Sequence, residues 1–440
     1  MEANLSRKNW TVLLLFGLIG QIAWAVENMY FNVFVFDTIT KNIDYITLMV
    51  QLSGIAATFV TLVAGTLSDK LGNRRSFISI GYVIWGITVI LFGFISTDTV
   101  EKLFGMSYDS AVTLCVWAVI IGDCVMTLFG STSNDAAFSA WVTDNTENSY
   151  RGRVESIISI LPLAAMLIVA GGFGILVGFI GYTYLFLGLG AIISISGVIG
   201  IFIIKDSGKL VKSGTLRDMI YGFKPSTVKN HTPLYVSLLI LAVYGIACQI
   251  FMPFLIIYMK EYLGFTEIEY SVIFGLAIAL GAAVNVVLGI FSNRMDKVKS
   301  IYAATAIFSV GLFGMFLAKD MTHTANLILF GIAGFVMICG YIYVSALSGA
   351  LVRDYTPEDS AGKLQGVRMI FAVLIPMLVG PAIGNAINHA ADIPFADPGA
   401  DIMTTDVIPA PQVFLAAAII SLVILALVPL LSRSINKNSN

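Results

Sequence analysis

The chain is poor in what a water-soluble domain of its size relies on. Of its 440 residues only 12% are Asp, Glu, Lys or Arg, whereas 58% are hydrophobic. That balance excludes a globular protein kept in water by a charged surface. Cysteine occurs four times, at Cys115, Cys124, Cys248 and Cys339, each inside an apolar stretch; these are expected as small packing residues, not disulfide partners. His231, His323 and His389 stand far apart without Cys or His neighbours, so no metal site is expected. No Gly-rich Lys-Ser/Thr loop is present to cradle nucleotide phosphates, and no set of nucleophile, base and orienting group. ATP coupling, enzyme chemistry, a cofactor and a nucleic-acid partner are therefore not expected. Only Arg7 and Lys8 precede the first apolar span, which lacks a small-residue cleavage site and reads as a retained helix.

What the chain has is long apolar runs. Twelve lie at about 11–36, 45–67, 76–96, 110–140, 154–181, 183–204, 234–259, 268–291, 300–318, 325–350, 364–388 and 411–432. Each approaches or exceeds the ~20 residues that cross ~30 Å of hydrocarbon as a helix. The expected fold is an all-α, multi-pass membrane protein of twelve transmembrane helices. With the N-terminus in the cytoplasm, all of the 25 Lys and Arg except Lys41, Lys102, Lys260 and Lys319 fall on the inner side, as cation retention requires. Both termini are then cytoplasmic, and the expected location is the cell membrane.

Two halves echo each other. Ala140, Val142, Asp144 and Thr146, followed by Gly152, return as Ala350, Val352, Asp354 and Thr356, followed by Gly362. A second echo joins Gly65 and Ser68 to Gly289 and Ser292. The pattern predicts two pseudo-symmetric six-helix bundles, residues 1–205 and 234–440, joined by a cytoplasmic linker at 206–233. Duplicated bundles around a central cavity are how secondary transporters achieve alternating access. Within the linker, 215–223 could form a short helix on the anionic inner surface. Helix 5 carries Gly171, Gly172, Gly174, Gly178 and Gly181, a pattern that predicts close backbone packing. In helix 11 the run from Gly380 and Pro381 to Gly384 predicts a kink.

Between helices 2 and 3 the chain reads Gly65, Leu67, Asp69, Lys70, Gly72, Asn73, Arg74, Arg75. This resembles the G-x-L-x-D-R-x-G-R-K/R loop of the major facilitator superfamily, and the resemblance extends over nearly the whole chain. The glycines permit a tight turn, and Asp69 can pair with Arg74 or Arg75 to latch the inner face. Asp144, Arg151, Arg153, Arg353, Asp354, Lys363 and Arg368 are placed to make the equivalent latches. Within the superfamily, Asn134, Asp135 and Phe138 through Asp144 to Arg153, with Asp354, Thr356, Pro357, Gly366 and Arg368, resemble the glycoside/pentoside/hexuronide:cation symporters and the sucrose-type carriers. Sodium-coupled members carry acidic residues in helix 2, where this chain has only Gln51, Ser53, Thr58 and Thr61. The resemblance therefore implies a proton as the coupling ion, a sugar as substrate and a monomeric carrier. A proton-coupled exporter of drugs or metabolites stays open, and from another class a receptor or channel.

Carboxylates at bilayer depth cost at least ~2.5 kcal/mol and tend to mark functional sites. Glu27 in helix 1 and Asp123 in helix 4 are the candidates for proton coupling. Asp123, Thr127, Gly130 and Asn134 recur on one face of helix 4, and Gln21, Trp24, Glu27, Asn28 and Asn32 form an arc on helix 1. By resemblance both arcs line the cavity and contact substrate, a sugar ring stacking on Trp24 while its hydroxyls bond the polar groups. The second half has no deep acidic residue. Its substrate candidates are Tyr244, Gln249, Asn285, Tyr341, Ser345 and Asn385.

Overall fold

The computed structural model describes residues 6–71, 73–146, 151–206, 221–292, 296–357, 361–395 and 406–438. The described chain is helical apart from its connections and one isolated bridge between Pro394 and Val407. In hydrocarbon the helix is the one open structure that satisfies every backbone N–H and C=O within its own segment. The apolar runs accordingly become α1 (Arg7–Thr38), α2 (Ile43–Leu71), α3 (Arg74–Phe92) and α4 (Tyr108–Asn145). A continuous run, Arg151–Ile203, follows and holds two spans, because Gly181 (φ 72°, ψ 169°) breaks its helical path. We label the part before it α5 and the part after it α6. Then come α7 (Thr232–Tyr262), α8 (Glu267–Ser292), α9 (Lys297–Leu317) and α10 (His323–Asp354). The run of Ala361–Met369, Ile370–Leu374 and Ile375–Ala391 forms α11, and Gln412–Asn438 forms α12. Twelve spans thus stand among the described residues. Most of the linker segment expected to lie on the membrane, 215–220, falls outside them; Tyr221–Phe223 is one 3-10 turn.

The helices fall into two compact units. Unit 1 gathers Met1–Thr40 and Ile55–Leu216, and unit 2 gathers Lys41–Gly54 and Arg217–Asn440. The division passes through α2, whose first turns belong to unit 2. Gln51 Nε2 donates to the Leu378 carbonyl of α11 at 2.9 Å, and Gly54 leaves just the room that Met377 fills.

Inside the units, glycine sets the closest approaches. Without hydrophobic drive between helices already in lipid, contact area decides association, and small residues let backbones meet. In unit 1 a Cβ on Gly86 of α3 would strike Ser194 and the Gly190 carbonyl of α6, and one on Gly197 would strike the backbone of Ser79 and Val83. In unit 2, Gly311 of α9 lies on the backbone of Met337, and Gly340 of α10 on that of Phe308. Of the helix 5 glycines expected in this role, Gly172 has nothing within 4 Å of an added Cβ, and Gly181 serves as the break. In α11, where the sequence predicts a kink, Pro381 lies inside the helical segment Ile375–Ala391. The irregular turn is the π-helical Ile370–Leu374, while Gly380 and Gly384 pack on Gln249 and Ile250 of α7.

Gly340→Ala should overpack the α9–α10 contact and cost about 1–3 kcal/mol, lowering the detergent-solubilised melting temperature by several degrees. Gly334→Ala on the same helix meets nothing within 4 Å and should leave that temperature unchanged or raise it.

Candidate functional site

In unit 1, α1 and α4 each leave the α-helical pattern where they carry polar residues. α1 widens to a π turn at Glu27–Phe31 and α4 at Ser131–Phe138. A π turn inserts a residue and rotates all that follows about the axis, and such turns concentrate at functional sites.

The two candidate coupling residues lie inside the unit. Glu27 is 7% exposed and Asp123 2%, and the buried Thr127 hydroxyl donates to Glu27 Oε1 at 3.1 Å. The Cys124 thiol lies close enough to feel both carboxylates. The structure thus brings Glu27, Asp123 and Thr127 together in one water-poor cluster between α1 and α4.

The helix 1 arc divides. Gln21 and Trp24 are half-buried and Asn28 is exposed, whereas Asn32 is buried. Asn28 Nδ2 donates to the Trp24 carbonyl at 2.8 Å and Asn32 Nδ2 to the Asn28 carbonyl at 3.2 Å. The Trp24 ring is 5.1 Å from that of Trp85 and lies over Gly130. Asn134 accepts from the Tyr82 hydroxyl at 2.9 Å, so the α4 stripe is used largely to join α4 to α1 and α3.

One carboxylate escaped the helical-face reading. Asp135 is partly exposed and accepts from Asn134 Nδ2 at 3.4 Å, with Ser131 and the Trp24 indole beside it. No described cation pairs with it. The stripe counted at 3.6 residues per turn ended on Asn134 and left its neighbour off the face; the π turn invalidates that count.

Unit 2 separates its candidates. The Tyr244 hydroxyl donates to the Tyr341 carbonyl at 3.1 Å, the two rings lie 5.7 Å apart, and the exposed Ser345 adjoins Tyr244. Asn285 Nδ2 instead donates to the carbonyls of Gly281 at 2.9 Å and Cys339 at 3.1 Å, joining α8 to α10. Gln249 is half-buried against Gly380. Asn385 Nδ2 donates to Asp44 Oδ1 at 2.6 Å, a partner the sequence reading did not give it.

At the inner ends, Arg74 Nε reaches Asp144 Oδ2 at 3.1 Å, with the arginine 6% exposed. The Arg75 backbone N–H donates to Asp206 at 2.9 Å, and its guanidinium donates to the Ile201 carbonyl. Unit 2 repeats the first arrangement, Lys297 Nζ lying 2.6 Å from Asp354 Oδ2. Arg353 and Arg368 are exposed. Gly65 lies in α2; Gly72 and the side chains of Asp69, Arg151, Arg153 and Lys363 lie outside the described residues. Among the described residues no group of three or more His, Cys, Asp or Glu is placed to hold a metal.

Comparison with known proteins fits this architecture. Over 107 residues the chain is 27% identical to an uncharacterized MFS-type transporter, YkuC, of Bacillus subtilis (strain 168), a stretch that spans 24% of this chain and 25% of that relative. Solved structures of similar fold include the nucleoside transporter NupG (TM-score 0.65, 14% identity, 96% of this chain and 99% of that one). A bacterial homolog of the human lysosomal transporter Spinster, inward-facing and unoccupied, gives a TM-score of 0.62 at 15% identity over 99% of both chains. A bacterial metal transporter gives 0.58 at 15% identity over 98% of this chain and 99% of that one. The profile of the Major Facilitator Superfamily matches residues 13–381 and 237–439. The chain belongs to the Major Facilitator Superfamily, a family of membrane transporters and not of enzymes.

Proposed function

We propose that the protein is a secondary carrier that takes up a glycoside or small oligosaccharide together with a proton, working as a monomer in the cell membrane by alternating access. The observation that carries this reading is the enclosure of Glu27 and Asp123 in one cluster of unit 1 with Thr127 donating to Glu27. Two carboxyls in one water-poor site resist ionising together, so one proton can bind there and leave when the site hydrates. Beside that cluster, Gln21, Trp24, Asn28 and Asp135 keep exposed surface. An aromatic face next to hydrogen-bonding groups suits a hydroxylated, partly apolar ligand. The proton and the substrate then have separate, adjoining places in the same unit. In unit 2, Tyr244, Tyr341 and Ser345 would supply neutral contacts. The ion pairs Arg74–Asp144 and Lys297–Asp354 act as the inner-end fasteners of their own units.

The primary test is uptake of a panel of radiolabelled sugars into proteoliposomes at two external pH values. At least one glycoside should accumulate, faster at the lower pH; no uptake of any panel member overturns the reading. Glu27→Gln combined with Asp123→Asn should leave substrate exchange intact and abolish uphill uptake, and unchanged accumulation in the double variant would discard the coupling role. Asp135→Asn should raise KM severalfold while leaving the pH dependence as it was. Asp354→Asn removes an exposed pair that contributes about 0.2–1 kcal/mol and should bias the carrier towards opening inward by about 1.4-fold to 5-fold, read as inner-face cysteine labelling.

A further inference from the structure

The first turns of α2 are bound into unit 2 by a polar contact that the proposed transport site does not use. Asp44 Oδ1 accepts two hydrogen bonds from α11, from Asn385 Nδ2 at 2.6 Å and from His389 Nε2 at 2.8 Å. Asn385 and His389 are one helical turn apart, so a single carboxylate oxygen spans both. Below them Gln51 donates to the Leu378 carbonyl at 2.9 Å, and Gly54 meets Met377. Above them the Lys41 ammonium stands 5.1 Å over the Phe395 ring. These contacts follow one seam from Lys41 to Gly54 and from Phe395 back to Met377, and the 41–54 segment clusters with unit 2 while the rest of α2 clusters with unit 1.

We propose that Asp44, Asn385 and His389 form a proton-operated clasp that fixes how firmly the 41–54 segment of α2 is held to α11, tighter when the imidazole is charged. The reasoning is electrostatic. The Asn385 bond is indifferent to pH. A neutral imidazole presents one ordinary N–H to Asp44, whereas a protonated one adds charge assistance to the same bond. Imidazoles make that change in the range where external pH varies. Other charged groups stand near Asp44. Lys41 lies on the same segment, and Asp406, on the connection to α12, has its carboxyl held above its ordinary value by burial first and by the Asp44 charge second. Asp392 follows directly after α11 in a left-handed backbone turn (φ 49°). Of the titratable groups, it is the His389 imidazole that is hydrogen-bonded to Asp44. Both partners are about half exposed, Asp44 at 51% and His389 at 47%, so external protons reach them without passing the buried Glu27 and Asp123. The clasp lies on the side that the distribution of cations assigns to the exterior. It therefore senses the medium and not the occupancy of the transport site.

The test uses Met377→Cys, which faces Gly54 across the seam, in the full-length protein with Cys115, Cys124, Cys248 and Cys339 replaced by alanine. A membrane-impermeant thiosulfonate is applied at pH 5.5 and 7.5, and labelling is normalised to the unfolded protein at each pH. Labelling should be about 1.4- to 5-fold greater at pH 7.5, the range that an exposed ion pair supplies. His389→Asn, which keeps a donor and cannot charge, should abolish the ratio and fix labelling at the higher level. Asp44→Asn should do the same. His389→Lys should fix it at the lower level. Equal labelling of the parent at both pH values, or a pH ratio that survives His389→Asn, overturns the proposal. Either result leaves the proton-coupling reading untouched, because that reading is judged by accumulation in the Glu27 and Asp123 variant.

Discussion

A polar group inside hydrocarbon has no water to bind if its partner is lost, and the rest of this structure depends on that fact. Backbone amides answer it by forming helices throughout the spans. Side-chain amides and hydroxyls answer it by bonding nearby carbonyls, as Asn28 does to Trp24, Asn285 to Gly281 and Cys339, and Tyr244 to Tyr341. Carboxylates have no donor of their own while charged, and so are scarce. Where they occur, at Glu27, Asp123 and Asp135, they are gathered on α1 and α4 of unit 1.

The same constraint acts differently at the inner ends of the two units and deep within them. At the inner ends Asp144 and Asp354, 210 residues apart in sequence, each take a cation from the helix preceding their own. The Lys297–Asp354 pair sits where water can share the cost of ionisation, whereas the buried Arg74 guanidinium relies on Asp144. Deep in the spans the halves diverge, with carboxylates in unit 1 and neutral tyrosine and amide groups in unit 2. A second set of buried charges would add to the cost of insertion.

Much of the fold could be read from residue order. Run length gave twelve spans, and Gly181 was already marked as one of a glycine series where two of them join. The motif from Gly65 to Arg75, whose first half is the end of α2, pointed to the family that the profile match then established. What could not be read was rotation and partnership. The π turns at Glu27–Phe31 and Ser131–Phe138 shift every following side chain, so a face counted at constant pitch included Asn134 and passed over Asp135. Asn385 looked like a cavity residue because it is polar within a span, and its partner Asp44 is 341 positions away. Gly172, one of the helix 5 glycines expected to pack closely, meets nothing within 4 Å, whereas Gly86, Gly197, Gly311 and Gly340 stand against a neighbouring backbone.

Sequence alone determined that this chain lives in a bilayer, how many times it crosses and where its rare carboxylates lie, because burial in hydrocarbon is governed by composition over each run of about twenty residues. Tertiary structure alone decided which of those polar groups meet. Glu27 found Thr127, Arg74 found Asp144, and Asp44 found Asn385 and His389. Such meetings depend on helix rotation and on backbone approach set by single glycines. Both are properties of packed pairs of helices, and neither is written in any one segment.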